Sequence, residues 1–158
     1  MAKKKSWREK LDDAKDLPKL IDIPERMQPR LGKGTMVIPA PREVNAIMRR
    51  VPEGRLITIN EIRTELAKKH GATVACPITI GIFASIAAKA ADEAASEGKR
   101  DGLAYWRTLK AGGELNPKYP GGIERLKRKL REEGHRIVAK GKRFVVADYS
   151  DHLVKRAR

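Results

Sequence analysis

Between Thr58 and Ser96 the chain carries two helical patterns joined by a short connector, and that pair limits the folds open to the rest. Thr58 with Glu61 three residues on forms a capping box, in which hydroxyl and carboxylate satisfy orphan backbone N–H groups and set a helix start. Ile59, Ile62 and Leu66 recur on one face, while Asn60, Arg63, Lys68 and Lys69 lie off it. Gly71 supplies the left-handed residue that stops the helix. Pro77 suits a first helical position and opens a second helix over 77–91. Its inward face is Ile80, Phe83, Ala87, Ala90 and Ala94, widened by Ile82 and Ile86; the other face shows Gly81, Ser85, Ala88, Lys89 and Asp92. The pair reads as a helix-turn-helix whose connector, 72–76, exceeds the minimal three or four residues. Small outer residues allow close approach to a DNA backbone or to another helix, and the pattern alone does not separate the two.

Trp7, Leu11, Ala14 and Leu17 predict a short helix over 1–17, ended by Pro18, then a brief strand over 19–23. Prolines and glycines from Pro24 to Pro41 predict an extended arm lying across the domain. Val44, Ile47, Met48 and Val51 follow the spacing of an amphipathic helix that starts at Pro41. After a basic, flexible connector at 98–102, residues 105–110 read as a strand turned by Ala111-Gly112-Gly113. Ile123, Leu126 and Leu130 mark a one-sided helix surrounded by Arg125, Lys127, Arg128, Lys129 and Arg131. Two short apolar runs, 136–140 and 143–147, flank Gly141-Lys142 and read as a hairpin. Residues 150–158 read as a short helix or frayed basic tail.

Charge narrows the class of partner. Thirty-five Lys and Arg stand against 20 Asp and Glu, a net +15, with a pI near 10.2. A surplus of that size attracts phosphate and makes nucleic acid the first partner to consider. Most of it falls after residue 99, where the hairpin tip Lys140, Lys142 and Arg143 resembles a DNA-gripping wing; a lysine-blunted sheet edge is the plain alternative. One cysteine excludes an internal disulfide and a cysteine-based zinc cluster, and His70, His135 and His152 lack ligand spacing. No apolar run reaches the roughly 20 residues of a membrane span. The basic start is followed by a charged helix pattern rather than a secretory signal. A cytoplasmic location is expected, with no membrane association and no cofactor.

Several pieces, in this order, resemble the DNA-binding domain of alkylguanine-DNA alkyltransferases and the alkyltransferase-like proteins. Residues 51–62 are similar to that domain's first helix-turn-helix element, and 77–88 to its recognition helix. Trp106-Arg107, Gly112-Gly-Glu-Leu, Tyr119-Pro-Gly-Gly and Leu130-Arg-Glu-Glu-Gly-His resemble the segment from the active-site strand to the last family helix. The likeness covers roughly residues 42–135. In the enzymes a Pro-Cys-His-Arg motif supplies the alkyl-accepting thiolate and its base. Here the stretch is Ala104-Tyr105-Trp106-Arg107, which has neither thiolate nor imidazole. The alkyltransferase-like proteins also replace the cysteine, typically by an aromatic residue, and bind damaged DNA without repairing it. Ile59 falls at the family's nucleotide-turning tyrosine and Gly81 near its intercalating arginine, leaving Ile78 or Ile82 as an apolar wedge.

The combined expectation is an α+β, mainly helical fold: a winged helix-turn-helix domain over 41–148, with an N-terminal helix and arm at 1–40 and a basic tail at 149–158. The expected function is non-enzymatic binding of double-stranded DNA, with recognition of alkylated guanine and hand-over to repair proteins as its sharper form. Expected DNA contacts are Asn60, Ile78, Thr79, Gly81, Ser85, Lys89, Arg128, Lys140, Lys142 and Arg143, and the expected base pocket is Tyr105, Trp106, Arg107 and Tyr119. No catalytic or metal-ligating residue is expected, and a monomer is. The alternatives are an alkyl acceptor using Cys76, whose position at a helix N-terminus can lower a thiol pKa, and a protein-interaction module using the apolar face at 81–88.

Overall fold

The computed structural model describes residues 6–99 and 102–154; the readings made for the extreme ends, and for Arg100 and Asp101 of the connector, lie outside them. The fold is α+β, about half helical, with three small sheets among the described residues. Helix α4 (Ile59–His70) begins where its capping box requires. The Thr58 hydroxyl accepts from the Asn60 N–H at 3.2 Å, and Glu61 accepts from the Thr58 N–H at 2.7 Å. Gly71, at φ +64°, ends the helix.

Helix α5 (Pro77–Ser96) runs five residues past the expected end and is the centre of the core. Its buried arc is made almost entirely of alanine: Ala84, Ala87, Ala88, Ala90, Ala91 and Ala94, with Ile80. Alanine lets backbones approach closely, and α3 (Pro41–Arg49) brings Val44, Ile47 and Met48 into the same cluster. Two positions differ from the sequence reading. Ala88, placed on the outer face, is fully buried, and Ile82, placed on the inner face, is 52% exposed beside Ile78 at 64%. At 100° per residue, Ile78 and Ile82 fall opposite the arc centred on Ala84, Ala87 and Ala91.

The N-terminal region is more structured than an extended arm. Helix α1 (Trp7–Asp12) lies on α5, where the Glu93 carboxylate accepts from the Trp7 N–H at 3.1 Å and the Arg8 N–H at 3.3 Å. It stops well short of Leu17, because Asp12 and Asp13 oppose the negative end of a helix; Asp12 pairs with Arg42 Nε instead, at 2.7 Å. Strand β1 (Lys19–Asp22) pairs antiparallel with β2 (Thr35–Ile38), and β2 pairs parallel with β4 (Val74–Ala75), the strand leading into α5. A 3-10 turn at Glu25–Met27 and the one-turn α2 (Gln28–Leu31) connect them. This sheet covers Cys76 with Ile23 and Met36.

Beyond α5, the strand expected over 105–110 is reduced to β5 (Thr108–Leu109), parallel to β3 (Ile57–Thr58). Tyr105–Arg107 form a 3-10 turn. A strand would send Trp106 and Arg107 to opposite faces, whereas both side chains reach the same carboxylate, Glu133. Helix α6 (Gly122–Glu132) buries Leu126 and Leu130. The hairpin β6 (Ile137–Lys140) and β7 (Arg143–Val146) follows as expected, and Val146 enters the core. A 3-10 turn at Tyr149–His152 then brings Leu153 alongside Leu56. No helix among the described residues is long and apolar enough to cross a membrane.

Candidate nucleic-acid interface

The expected contact positions on α5 fall into two halves. In the first half Ile78 and Ile82 are exposed one turn apart, flanked by the partly exposed Gly81 and Ser85. Thr79 points the other way, donating its hydroxyl to Cys76 Sγ at 3.1 Å. In the second half α1 covers the same face. Lys89 lies 4.6 Å from the Trp7 ring centroid, with Lys10 at 4.1 Å, so Trp7 stacks against two cations. Arg8 holds Glu93 at 3.2 Å and also pairs with Glu97. The open part of the face is therefore the first turns from Pro77.

Asn60 is exposed on α4, Arg128 is exposed on α6, and Lys140, Lys142 and Arg143 are exposed at the hairpin tip around Gly141. The hairpin is braced from below. Lys127 lies 3.6 Å from the Phe144 ring centroid, the Leu115 N–H donates to the Phe144 carbonyl at 2.9 Å, and Arg143 stands 3.8 Å from Glu114.

The four expected base-pocket residues come together but are not equally open. Tyr105 is 6% exposed; its hydroxyl donates to the Pro120 carbonyl at 3.2 Å, and its ring meets Tyr119 edge-on at 5.9 Å. Tyr119 is itself 3% exposed, and burial pushes its phenol far above the usual tyrosine value. Burial, partly offset by the nearby Arg125 charge, also raises Tyr105. Tyr105, Trp106 and Arg107 line a cavity of about 490 Å³ together with, among others, Ala91, Asp92, Leu103, Arg125 and Lys129, and Lys129 Nζ lies 5.1 Å from the Trp106 ring centroid. Tyr119 lies behind this wall. Gly121, at φ +84°, makes room for Arg125: a Cβ there would sit 2.1 Å from the Arg125 Cδ, whose guanidinium reaches Asp92 at 3.1 Å.

Glu133 is the residue that sequence reasoning missed. Its carboxylate, 5% exposed, receives Trp106 Nε1–H at 2.7 Å, Arg107 Nη2–H at 2.9 Å and the Gly54 N–H at 3.1 Å. Burial alone would raise this carboxyl, but those donors outweigh it and hold the group below the usual carboxylate range. Arg107 also donates to the Val51 carbonyl at 2.9 Å, so its guanidinium is committed to the protein. The cue lay in the sequence, since Glu133 belongs to the Leu-Arg-Glu-Glu-Gly-His motif. Ile82 and Asp92 stand ten residues apart, about 15 Å along the helix axis, so the exposed isoleucines and the Trp106 cavity occupy different halves of α5.

Cys76 is 6% exposed, packed with Ile23 and Met36, and accepts the Thr79 hydroxyl. Among the described residues no group of His, Cys, Asp or Glu could hold a metal ion.

No family model matches the chain, and no curated protein matches it. Among solved structures the chain is similar to S. pombe Atl1, crystallised in complex with damaged DNA containing O6-carboxymethylguanine. The superposition has a TM-score of 0.50 at 17% identity and covers 73% of this chain and 94% of that one. The chain shares the fold of Atl1, an alkyltransferase-like protein.

Proposed function

We propose that this protein is a non-enzymatic, double-stranded-DNA-binding protein of winged-helix type, with α4 and α5 as its helix-turn-helix and β6–β7 as its wing. The observation that carries the reading is the uncovered face of α5: Ile78, Gly81, Ile82 and Ser85 lie open on a chain of net charge +15, in a fold shared with a protein solved on damaged DNA. Small residues let the helix approach a duplex closely. Exposed isoleucines suit insertion at a base step, which apolar side chains of DNA-distorting proteins perform at a cost of a few kcal/mol in unstacking. Asn60, Arg128, Lys140, Lys142 and Arg143 would supply phosphate contacts, and Lys89 would do so only where α1 leaves it accessible.

Tyr105 supports the non-enzymatic part. The position of the family's acceptor thiol holds a buried phenol fastened to Pro120, and the neighbouring position holds Trp106 fastened to Glu133. Cys76 is no substitute, because its thiol is packed under the N-terminal sheet. Preference for an alkylated guanine, the sharper form, draws on the resemblance and on the cavity beside Trp106, whose aromatic wall could stack a base.

Competition between plain duplex and duplex carrying one O6-alkylguanine tests this. Binding to both supports the DNA-binding reading, and a preference of tenfold or more for the modified duplex supports lesion recognition. Self-association with no DNA affinity at low salt favours a protein-interaction module instead.

A further inference from the structure

A second cavity, of about 540 Å³, opens between α4 and β4 immediately before α5. Its wall carries Asn60, Arg63, Thr64, Lys68 and Thr73, and no carboxylate. Asn60, Thr64 and Lys68 recur every fourth residue, so one stripe of α4 faces it. Arg63 is held in place: its Nε–H donates to the Ala75 carbonyl at 3.2 Å, and Nη1 lies 3.4 Å from Asn60 Oδ1. That leaves Nη2 and the outer edge of the guanidinium, with the Asn60 amide N–H₂, as donors at the cavity. The acids of α4 are occupied elsewhere, Glu61 in the capping box and Glu65 on Arg50. Lys69 and His70 turn to Glu43, at 2.7 and 2.6 Å, but Lys68 is exposed and meets no carboxylate among the described residues. The 20-residue α5 begins two residues beyond Ala75, at Pro77.

We propose that this cavity is a phosphate site, occupied by a backbone phosphodiester of DNA flanking the segment met by α5. A lining without carboxylates, two uncompensated cations and a guanidinium fixed by a backbone carbonyl suit a tetrahedral monoanion and disfavour a cation. The inference rests on the DNA-binding reading and adds Arg63 and Lys68 to it. A free phosphate ion has the same chemistry, so the test separates the two sources.

Duplex affinity is measured against salt for the full chain and for Lys68→Gln and Arg63→Gln. Each neutralised phosphate contributes about 0.9 to the log–log slope, so weakening this one phosphate contact is expected to flatten the slope in either variant, by at most about one. Lys68→Gln makes no contact that the fold depends on, so the test holds even if Arg63→Gln loosens the β4–α5 joint. In parallel, the Arg63 Nε–H resonance is followed while inorganic phosphate is added. Flattened slopes support the proposal. Wild-type slopes in both variants overturn it, and so does a phosphate-shifted Arg63 resonance with unchanged slopes, which marks a free-anion site. Absence of DNA binding by the wild type overturns the DNA-binding reading itself and this proposal with it.

Discussion

Arg107 and Glu133 face each other as a largely buried ion pair, with Nη2 2.9 Å from Oε2 and Nε 3.0 Å from Oε1. The side chains are 17% and 5% exposed, and the pair joins the 3-10 turn at Tyr105–Arg107 to the end of α6 and, through Gly54 and Val51, to the segment leading into α4. Three parts of the candidate interface are therefore positioned by one carboxylate.

Removing that carboxylate strands a buried guanidinium. Glu133→Ala is expected to cost about 3 kcal/mol of folding stability, and a double variant with Arg107→Met less than the sum of the two single changes. Denaturant unfolding of the four proteins measures this; additive losses would contradict a coupled pair.

On the proposed reading, Tyr105 stands where the alkyltransferases carry their acceptor thiol. Tyr105→Phe should cost about 1 kcal/mol through loss of the hydrogen bond to Pro120. Tyr105→Cys should remain inactive, because Trp106 gives no base to form the thiolate. Incubation with duplex carrying a labelled O6-alkyl group checks the second point, with no label expected on the protein, whether Tyr105→Cys, wild type or Cys76→Ser.

The exposed isoleucines are predicted to act on binding and not on folding. Ile78→Asp and Ile82→Asp should leave stability within about 0.5 kcal/mol, since neither side chain is buried. Each should weaken duplex binding about tenfold or more, equivalent to about 1.4 kcal/mol. Unchanged affinity in both would remove α5's first turns from the contact surface.

Stability should fall as the solution becomes mildly acidic. His135 is 5% exposed, neither ring nitrogen has a hydrogen-bond partner among the described residues, and its ring meets His152 edge-on at 5.0 Å. Burial first, and then the neighbouring His152, hold its pKa below the ordinary value of 6.5. The unfolded chain therefore binds more protons just below that pH. The stability this provides is complete above about pH 6.5 and is lost as pH falls through the folded value, by at most about 1.4 kcal/mol per pH unit. Glu133 and Glu43, held below 4.5, act only at lower pH. Melting temperature against pH measures this, and His135→Gln should flatten the decline between pH 6.5 and 5.

Much of the helical frame was legible because its signals are local. Thr58 with Glu61, Gly71 and Pro77 each act within a few residues, and the structure places the helix ends accordingly. The outer face of α5 was only partly legible: with alanine buried and isoleucine exposed in its first turns, the helix offers little polar contrast there, so Ile82 and Ala88 exchanged sides. The 3-10 turn at Tyr105–Arg107 depends on Glu133, 26 residues from Arg107, and no local pattern announces such a partner. Arg63 read as a solvent-facing residue because its anchor is a backbone carbonyl of another element.

The central claim, that this basic surface binds duplex DNA through its phosphates, is tested most directly by the salt dependence of binding. Anisotropy of a labelled plain duplex, followed between about 50 and 200 mM salt, should give a log–log slope on the order of −5 if about six phosphates are engaged. A flat response, or no binding at the lowest salt, would contradict the account.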